Sequence, residues 1–497
     1  MSKKLIVIML SIILVVGGFY GYKRYKTYKV YKEDAVYLLD FLDDNYPYFQ
    51  IEEKTLNYRF LDHKDEFIKK IARSRNDADF YKNVSEVICS LQNGHSKINT
   101  SPNYLKTDEN IVKKNEYWTN VSKQSSYLPD IMCKYVEGKY VVTKSMNSDI
   151  PVGSILLKFN GEKINDYITS KKDTFLLIKD FKRNTFYFLT YLYRKFDNTP
   201  DNVTISYNGQ EKEATINYKL ADDKMMDWFL YSLPQFNGDN VITKSLNGGK
   251  TAYLRIKTCD GRKFEKSKEI INNFFKEYSN ADNIIIDMRG NSGGASSYGD
   301  LLIPNLIDKK LVVPKYHCLK NTEFMKERFF LNAKDFRNFV TDVQISEIPK
   351  NNYNLDGFRA FKEQRVFEPV HNSIKFKGHI YVLTDELVAS ASEYFANISK
   401  KYNIAKIVGI TTLGDGTGMN PMTIFLPNSK LGIQIPPALT ISEDGTVNEE
   451  VKTQPDIYIE QSLEDYQNYL KSGLTDIIGS KYDTVYNKTL EIINEQY

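Results

Sequence analysis

The sequence has few cysteines, only four among 497 residues, and they lie far apart at positions 89, 133, 259 and 318. None belongs to a CxxC pair, and none has a histidine nearby at metal-ligand spacing. The pattern therefore predicts neither a zinc site nor any other metal site, and four cysteines in so long a chain do not indicate a disulfide framework. We interpret them as buried thiols.

The sequence also lacks a strong charge of one sign. It has 67 basic and 63 acidic residues, and the formal net charge of +4 is spread along the chain, which indicates no nucleic-acid partner. Internal repeats and low-complexity tracts are absent as well. A hydrophobic fraction of 41% and a charged fraction of 26% are typical of a soluble globular body. At this length the body is expected to contain two or three domains.

Only one long apolar run is present, from Leu5 to about Tyr22, after Lys3 and Lys4. Its length is marginal for a bilayer span and long for the apolar core of a signal peptide. No small-residue cleavage site and no lipoprotein cysteine follow it. Residues 1–24 are therefore predicted to be an uncleaved signal anchor, which would tie the protein to the cell membrane by a single pass. The body is expected outside the cytoplasm, or secreted if the segment is cleaved.

The periodicity of the apolar residues changes several times along the chain. Helical spacing dominates first, short alternating strands follow, and strands then alternate with helices, as in α/β folds. The predicted regions are a helical region over 30–127, a β-rich domain over 128–220, an α/β domain over 245–462 with an insertion over the site at 315–375, and a helical segment over 463–497.

The β-rich region contains two hairpin signals, Asn160-Gly161 and Asn208-Gly209. The passage from Pro151 to Ile164 resembles a turn of PDZ domains, with Ser154 in place of the usual aspartate. This resemblance implies a sheet edge that binds an extended peptide terminus by β-augmentation. The alternative is a β-rich spacer.

The stretch from Thr384 to Ala396 reads as a strand, a short loop and a helix that begins at the serines. Ser390 would then lie in the positive field of a helix N-terminus, where unpaired amides bind an oxyanion. Such a hydroxyl becomes a nucleophile if a base reaches it. The alternative is that Ser390 and Glu393 only cap the helix.

A glycine-rich turn follows a buried strand in Asp287-Met-Arg-Gly-Asn-Ser-Gly-Gly. Glycines allow backbone amides to approach a ligand closely, so Gly293 or Gly294 could supply an oxyanion donor beside the amide of Ala391. The alternative is a phosphate-binding loop, but the spacing fits neither a P-loop nor GxGxxG.

The sequence contains five histidines. His63 falls in a charged helix and His379 opens a strand, so only His95 and His317 are predicted to lie in loops. His95 follows a helix that ends at Gly94, within the run Asn-Gly-His-Ser. A structural role is the alternative for a single histidine at this position.

Four motifs follow one another along the chain. In order they are Asp287-x-Arg-Gly-Asn-x-Gly-Gly, Ser390-Ala-Ser-Glu, Val-Gly-x-x-Thr-x-Gly from Val408, and Pro-Asp-Ile from Pro455. This set resembles the S41 serine peptidases, the family of the C-terminal processing peptidases and the tricorn core. The resemblance implies a ClpP/crotonase-like α/β core, a PDZ-like domain, and cleavage of peptide bonds with no cofactor.

The resemblance also implies which residue acts as the general base for Ser390. The processing branch uses a lysine in a Gly-Lys-Gly turn after the nucleophile helix, but here that turn is Gly414-Asp415-Gly416. The tricorn-like branch instead uses a histidine from an N-terminal motif, which implies that His95 is the base.

In that branch a glutamate and a hydroxyl orient the histidine. Glu449, six residues before Pro455, matches the position of the glutamate, and Glu450 remains the alternative. The tricorn type has a serine just before its histidine, where this chain has Gly94. Ser96 could supply the hydroxyl instead.

The sequence thus predicts a tail-specific type of serine endopeptidase that acts on extracytoplasmic proteins or peptides. Ser390 is the nucleophile, His95 the base and Glu449 its support, with Ala391 and Gly293 or Gly294 in the oxyanion hole. Because Asp415 replaces the dyad lysine, the alternative is an inactive pseudo-peptidase that binds peptides. A thioester chemistry on the same fold lacks any acyl-carrier signature. The sequence does not indicate the oligomeric state.

Overall fold

The structure is a computed structural model that describes residues 3–100, 108–189, 194–230, 238–331, 340–370 and 378–495, with the backbone alone for residues 3–21, 230 and 331. The chain divides into two compact units. The first unit contains residues 1–126 and 421–437, and the second contains residues 127–420 and 438–497. Both helices and sheets contribute, so the α/β fold class is confirmed.

The first unit is mainly helical. In its first helix Leu38, Leu39 and Leu42 are buried, because residues three and four apart share one face. Asn76 caps a later helix, since its side chain accepts a hydrogen bond from the Asp79 amide at 2.9 Å. The helices are Lys3–Asn45, Phe49–Leu56, Lys64–Ala72, Asp77–Cys89 and Glu109–Ser125, with a 3-10 turn at Phe60–His63.

Most side chains of the predicted anchor, residues 1–24, lie outside the described part of the chain. Its backbone from Lys3 onward belongs to the helix Lys3–Asn45. Within the described residues, no helix is both long enough and apolar enough to cross a bilayer.

A three-stranded sheet joins two distant parts of the sequence in this unit. Strand Gly432–Ile435 lies between Lys97–Ile98 and Met422–Phe425, antiparallel to both. The sequence analysis placed residues 421–437 with the α/β domain, whereas the structure places them in the first unit. Pairing across more than 300 residues leaves no signal in local periodicity.

The second unit begins with a β-rich part. The turns Asn160-Gly161 and Asn208-Gly209 have positive φ at both residues, which confirms the two predicted hairpins. The sheet order is Gln210–Ile216, Asp201–Tyr207, Ile155–Phe159, Lys139–Ser145 and Ile131–Val136, with Glu162–Lys163 beside Ile155–Phe159. Strand Ile131–Val136 is therefore an edge.

A six-stranded sheet forms the centre of the second unit, and five of its strands are parallel. Ile284 and Ile286 pack on one face with helix residues such as Phe274, while Ile285 packs on the other face with Val485 of the C-terminal helix. Burial on both faces explains the continuous apolar run of the central strand. The strand order is Val241–Leu246, Thr251–Ile256, Asn283–Asp287, His379–Thr384, Lys406–Gly409 and Ile457–Tyr458.

A four-stranded antiparallel sheet occupies much of the predicted insertion. Its order is Val340–Val343, Phe358–Phe367, Leu311–Lys320 and Ala438–Ser442. Within the predicted insertion over 315–375, residues 332–339 and 371–377 lie outside the described part of the chain, and two strands of ten residues each cover much of the remainder. The loop predicted around His317 was wrong. The cause is that buried polar residues in Leu311–Lys320 interrupt the apolar alternation.

The remaining elements of the second unit are shorter or peripheral, and helices Leu463–Ser472 and Thr484–Asn494 lie within the predicted segment 463–497. The other helices are Ile164–Thr169, Asp223–Leu230, Phe264–Glu277, Ser297–Leu306, Glu323–Met325, Ala391–Lys401 and Asn448–Val451, with a π-helix at Lys326–Leu331. The other strands pair Tyr127–Pro129 with Tyr218–Leu220, and Ile178–Asp180 with Thr185–Tyr187.

Candidate active site

Ser390 lies at the N-cap of helix Ala391–Lys401, six residues after a central strand ends. Its backbone has φ 54° and ψ −120°, in a region that residues other than glycine rarely adopt. Strain of this kind persists only where the surroundings impose it, and it is concentrated at functional sites. The Ser390 amide donates to the Gly414 carbonyl at 3.2 Å, and its carbonyl accepts from the Tyr394 amide at 2.8 Å.

The glycine-rich loop approaches Ser390 more closely than any side chain would allow. A Cβ added at Gly293, where φ is +95°, would lie 2.6 Å from the Ala389 carbonyl oxygen and 2.7 Å from Ser390 Cβ. It would also lie 2.8 Å from the Ala391 nitrogen. Only glycine fits here.

Two of the three predicted oxyanion amides have no competing acceptor among the described residues. The amides of Ala391 and Gly294 donate no hydrogen bond to the residues that the structure describes. The Gly293 amide differs, because it donates to Asn291 Oδ1 at 2.9 Å. The arrangement favours Ala391 and Gly294 as donors, with Gly293 shaping the loop.

Ser392 has a structural role. It is fully buried, its hydroxyl donates to the Asn291 and Ala389 carbonyls, and it accepts from the Ala389 amide at 3.1 Å. It therefore fastens the loop of Gly293 to the start of the Ser390 helix.

A buried ion-pair network supports the same loop from the other side. Arg289 donates to Asp287 through Nε at 2.9 Å and to Asp483 through both terminal nitrogens, at 2.7 and 2.8 Å. Asp287 and Asp483 are fully buried. Although burial favours the neutral acid, the charge of Arg289 holds the pKa of Asp287 below its usual range. Asp483 comes from the C-terminal segment, and no sequence signal predicted this role.

A second link joins the glycine-rich loop to the Ser390 loop. The Gly290 amide donates to Asp385 Oδ1 at 3.0 Å, and the Leu387 amide donates to the same oxygen at 3.0 Å. Burial raises the pKa of Asp385 to about 6, with the neighbouring Glu386 acting in the same direction.

Glu393, three residues after Ser390, is a buried carboxyl that ties the Ser390 helix to the predicted acid. Its Oε1 accepts from Asn448 Nδ2 and Thr453 Oγ1, both at 2.6 Å. Asn448 Oδ1 in turn accepts from the Gly416 amide at 2.9 Å. Burial raises the pKa of Glu393 to about 7, although these hydrogen bonds act against the shift. The sequence analysis treated Glu393 only as a capping residue.

Glu449 and Glu450 lie on the same short helix, Asn448–Val451. Glu450 Oε2 accepts from the Tyr353 hydroxyl at 2.8 Å, and the same hydroxyl accepts from the Val447 amide at 3.1 Å. Glu450 thus helps to anchor the helix, and Glu449 stays the residue predicted as the catalytic acid.

His95 belongs to the first unit, whereas Ser390 and Glu449 belong to the second. The half-buried His95 is held by its backbone, whose amide donates to Asn93 Oδ1 at 3.0 Å and whose carbonyl accepts from Gln434 Nε2 at 3.0 Å. The Ser96 hydroxyl is buried and donates to the same Asn93 oxygen at 3.2 Å.

Gly414-Asp415-Gly416 is a tight turn beside Ser390. Gly414 and Asp415 have positive φ, and a Cβ at Gly416 would lie 2.5 Å from Glu393 Cγ. This is the turn in which the sequence analysis found no dyad lysine.

Comparison with known proteins decides the family. Residues 250–459 match peptidase family S41. This part of the chain is an S41 peptidase domain. The match includes Asp287, Gly293, Ser390 and Glu449, and the predicted identity as a serine-type peptidase is confirmed.

Solved structures resemble a larger part of the chain. Mature CPAF complexed with lactacystin has a TM-score of 0.61 at 17% identity, over 94% of this chain and 99% of that one. A second structure of mature CPAF has a TM-score of 0.60 at 16% identity, and the match covers 90% of this chain and 96% of that one. At such identities the likeness shows the fold.

A curated protein of Chlamydia trachomatis serovar D is 23% identical over 224 residues. The match covers 38% of this chain and 37% of that relative, little more than a third of its length.

The contact at Gly293 leads to a prediction. In Gly293→Ala the new methyl group would displace Ser390 or the Ala391 amide, and misplacement on this scale typically lowers kcat about 100-fold. The matched control is Gly290→Ala, because Gly290 has φ +79° in the same loop but open space around an added Cβ. Steady-state hydrolysis by the two variants tests the prediction, and equal loss in both would contradict it.

The buried carboxyl of Glu393 predicts a pH dependence of stability. Its pKa is about 7 in the folded chain against 4.5 ordinarily, so the folded state binds the extra proton between these values. Stability is therefore greatest below the unfolded pKa and falls as the pH rises through 7, by up to about 3 kcal/mol. Urea unfolding at pH 5 and pH 8 should show a smaller decline for Glu393→Gln. The exposed Glu464→Gln should keep the wild-type decline, and an unchanged slope in Glu393→Gln would refute this role.

Proposed function

We propose that this S41 peptidase is an endopeptidase that cleaves proteins or peptides through an acyl-enzyme on Ser390, with His95 as general base. The observation that carries the proposal is the conformation of Ser390, a strained hydroxyl residue at a helix N-terminus with the uncommitted amide of Ala391 beside it. A positive helix terminus and unpaired amides are what a developing oxyanion requires.

The reaction is expected to run in two stages. Ser390 Oγ attacks the scissile carbonyl carbon as its proton passes to the His95 imidazole, and the amides of Ala391 and Gly294 hold the oxyanion. The proton then goes to the leaving amine, and water, activated by the same imidazole, releases the acyl group. Glu449 stabilises the imidazolium, as the acid does in a Ser-His-Asp triad.

A fluorophosphonate probe tests this proposal at the nucleophile. It should label the wild-type protein at Ser390, as located by peptide mapping, and Ser390→Ala should show no adduct. Ser392→Ala keeps the hydroxyl at position 390, so it should still be labelled. Absence of the adduct from folded wild-type protein would end the proposal.

The second candidate is a peptide-binding pseudo-peptidase, favoured by Asp415 where the processing branch has its lysine. It predicts that peptides bind without being cleaved and that Ser390 stays unlabelled.

We further propose that the β-rich part binds an extended substrate segment in the PDZ manner. Support comes from strand Ile131–Val136, which lies at the edge of its sheet among the residues that the structure describes. A peptide substrate and its backbone N-methylated analogue should bind Ser390→Ala with clearly different affinities. Equal affinities would refute strand addition.

The proposed location is the outer face of a cell membrane, on the basis of the apolar run from Leu5 to Tyr22. Fractionation of cells that express the full chain should place it in the membrane fraction after alkaline extraction, and added protease should digest the body in intact spheroplasts. Protection of the body in intact spheroplasts would contradict this location.

A further inference from the structure

Lys315 is a buried lysine that forms no salt bridge with a carboxylate of the residues that the structure describes. It lies on strand Leu311–Lys320 with 7% of its surface exposed. In the described part of the chain, no carboxylate oxygen lies within 4.0 Å of its ammonium. Lysine is almost never fully buried unless it is paired, because removing an ammonium from water is costly.

Two of the carboxylates that act on Lys315, Glu363 and Asp300, are hydrogen-bonded to other side chains. Glu363, directly opposite Lys315 on the next strand, accepts from His317 Nε2 at 2.7 Å and from Arg365 Nε at 3.3 Å. Asp300 accepts from Arg365 through both oxygens, at 2.6 and 2.8 Å.

The Lys315 ammonium lies against the helix that Ser390 begins. Its Nζ is 4.6 Å from the ring centroid of Tyr394, whose amide is hydrogen-bonded to the Ser390 carbonyl one turn earlier. Burial lowers the pKa of Lys315 to about 8, and Glu363, Asp300 and Glu449 act against this shift. Most molecules therefore carry the ammonium at pH 7.

We propose that Lys315 binds a carboxylate of the substrate close to the scissile bond, and so makes the peptidase selective for an acidic side chain or a free chain terminus there. The proposal rests on the proposed function, and it extends that function to a substrate class. An ammonium without a local counter-ion gains most when the ligand brings the anion. The variants are Lys315→Met, which removes the charge at similar volume, and Lys315→Arg, which keeps it.

The test uses a peptide that the wild-type enzyme cleaves, taken from its digest of a denatured protein. Each residue near the cleavage site is made Glu in one version and Gln in another, and the C-terminus is made acid or amide. At one position the wild type should prefer the carboxylate about 10- to 100-fold in kcat/KM, as expected for a hydrogen bond to a charged group. The Glu/Gln pair identifies a side chain, and the acid/amide pair identifies a terminus.

Lys315→Met should lose this preference through a raised KM for the carboxylate peptide only, and Lys315→Arg should restore it in part. Lys362→Met is the matched control, because Lys362 lies on the neighbouring strand with its Nζ 5.8 Å from the Tyr316 ring. It should keep the wild-type preference. Equal cleavage of all versions by the wild type, or an equal loss for all of them in Lys315→Met, would overturn the proposal.

Two further measurements separate this inference from the proposed function. Fluorophosphonate labelling of Ser390 should proceed at the wild-type rate in Lys315→Met, since the probe carries no carboxylate. Peptide binding to Ser390→Ala, with and without Lys315→Met, tests the carboxylate contact without cleavage. If the carboxylate peptide binds no more tightly than its neutral version, the inference fails even where catalysis is intact.

Discussion

Ser390→Ala and His95→Ala are each expected to lower kcat for peptide hydrolysis by several orders of magnitude, up to about a million-fold. The reason is that attack needs both a hydroxyl nucleophile and an imidazole that accepts its proton. Because the two residues act as one unit, the double variant should be no slower than either single variant. Hydrolysis of a fluorogenic peptide by folded protein measures all three rates.

The matched control for His95 is His379→Ala, because His379 is exposed at the start of a central strand. It should keep wild-type activity. A His95→Ala variant within about tenfold of the wild type would remove His95 from the mechanism.

Asp483→Ala should destabilise the protein and lower its activity together. The substitution leaves Arg289 buried with one carboxylate instead of two, and breaking a buried pair typically costs about 3–5 kcal/mol. It also removes the acceptor of the Gly479 and Tyr486 amides, at 2.7 and 3.0 Å. Urea unfolding gives the stability, and the fraction of Ser390 that reacts with fluorophosphonate gives the intact sites.

Asp308→Ala serves as the control, because Asp308 is an exposed aspartate of the same unit. It should change the free energy of unfolding by less than about 0.5 kcal/mol. Wild-type stability in Asp483→Ala would show that the C-terminal segment is not an integral part of the core.

Much of the fold could be predicted because local rules apply to it. The hairpins at Asn160 and Asn208 follow from the preference of Asn-Gly for two positive φ values. The strand with Ile284 to Ile286 is buried on both faces, so its unbroken apolar run could be recognised in the sequence as a buried strand.

The missed elements depend on tertiary partners. Leu311–Lys320 buries Lys315 and His317, whose polar character hides the strand, and His317 is buried there with hydrogen-bond partners from two other strands, Glu363 and Thr440. Strand Gly432–Ile435 pairs with residues more than 300 positions away, beyond the reach of any local pattern.

The candidate site also contains residues that local sequence predicts and residues that only tertiary contacts reveal. Ser390 and Gly293 were predictable because a strand-loop-helix junction and a glycine-rich turn have recognisable sequences. Glu393, Asn448 and Asp483 were missed, since their roles consist of hydrogen bonds between segments far apart in the chain.

The central claim is that His95, from the helical leader, activates Ser390 in the S41 domain. The rate at which Ser390 acquires an acyl group from an activated ester, followed by mass spectrometry after rapid quenching, tests it most directly. The adduct should map to Ser390, and its rate of formation should fall at least 1,000-fold in His95→Ala by the scale of such units. Acylation of Ser390 at an unchanged rate in His95→Ala, or an adduct on another residue, would contradict the account.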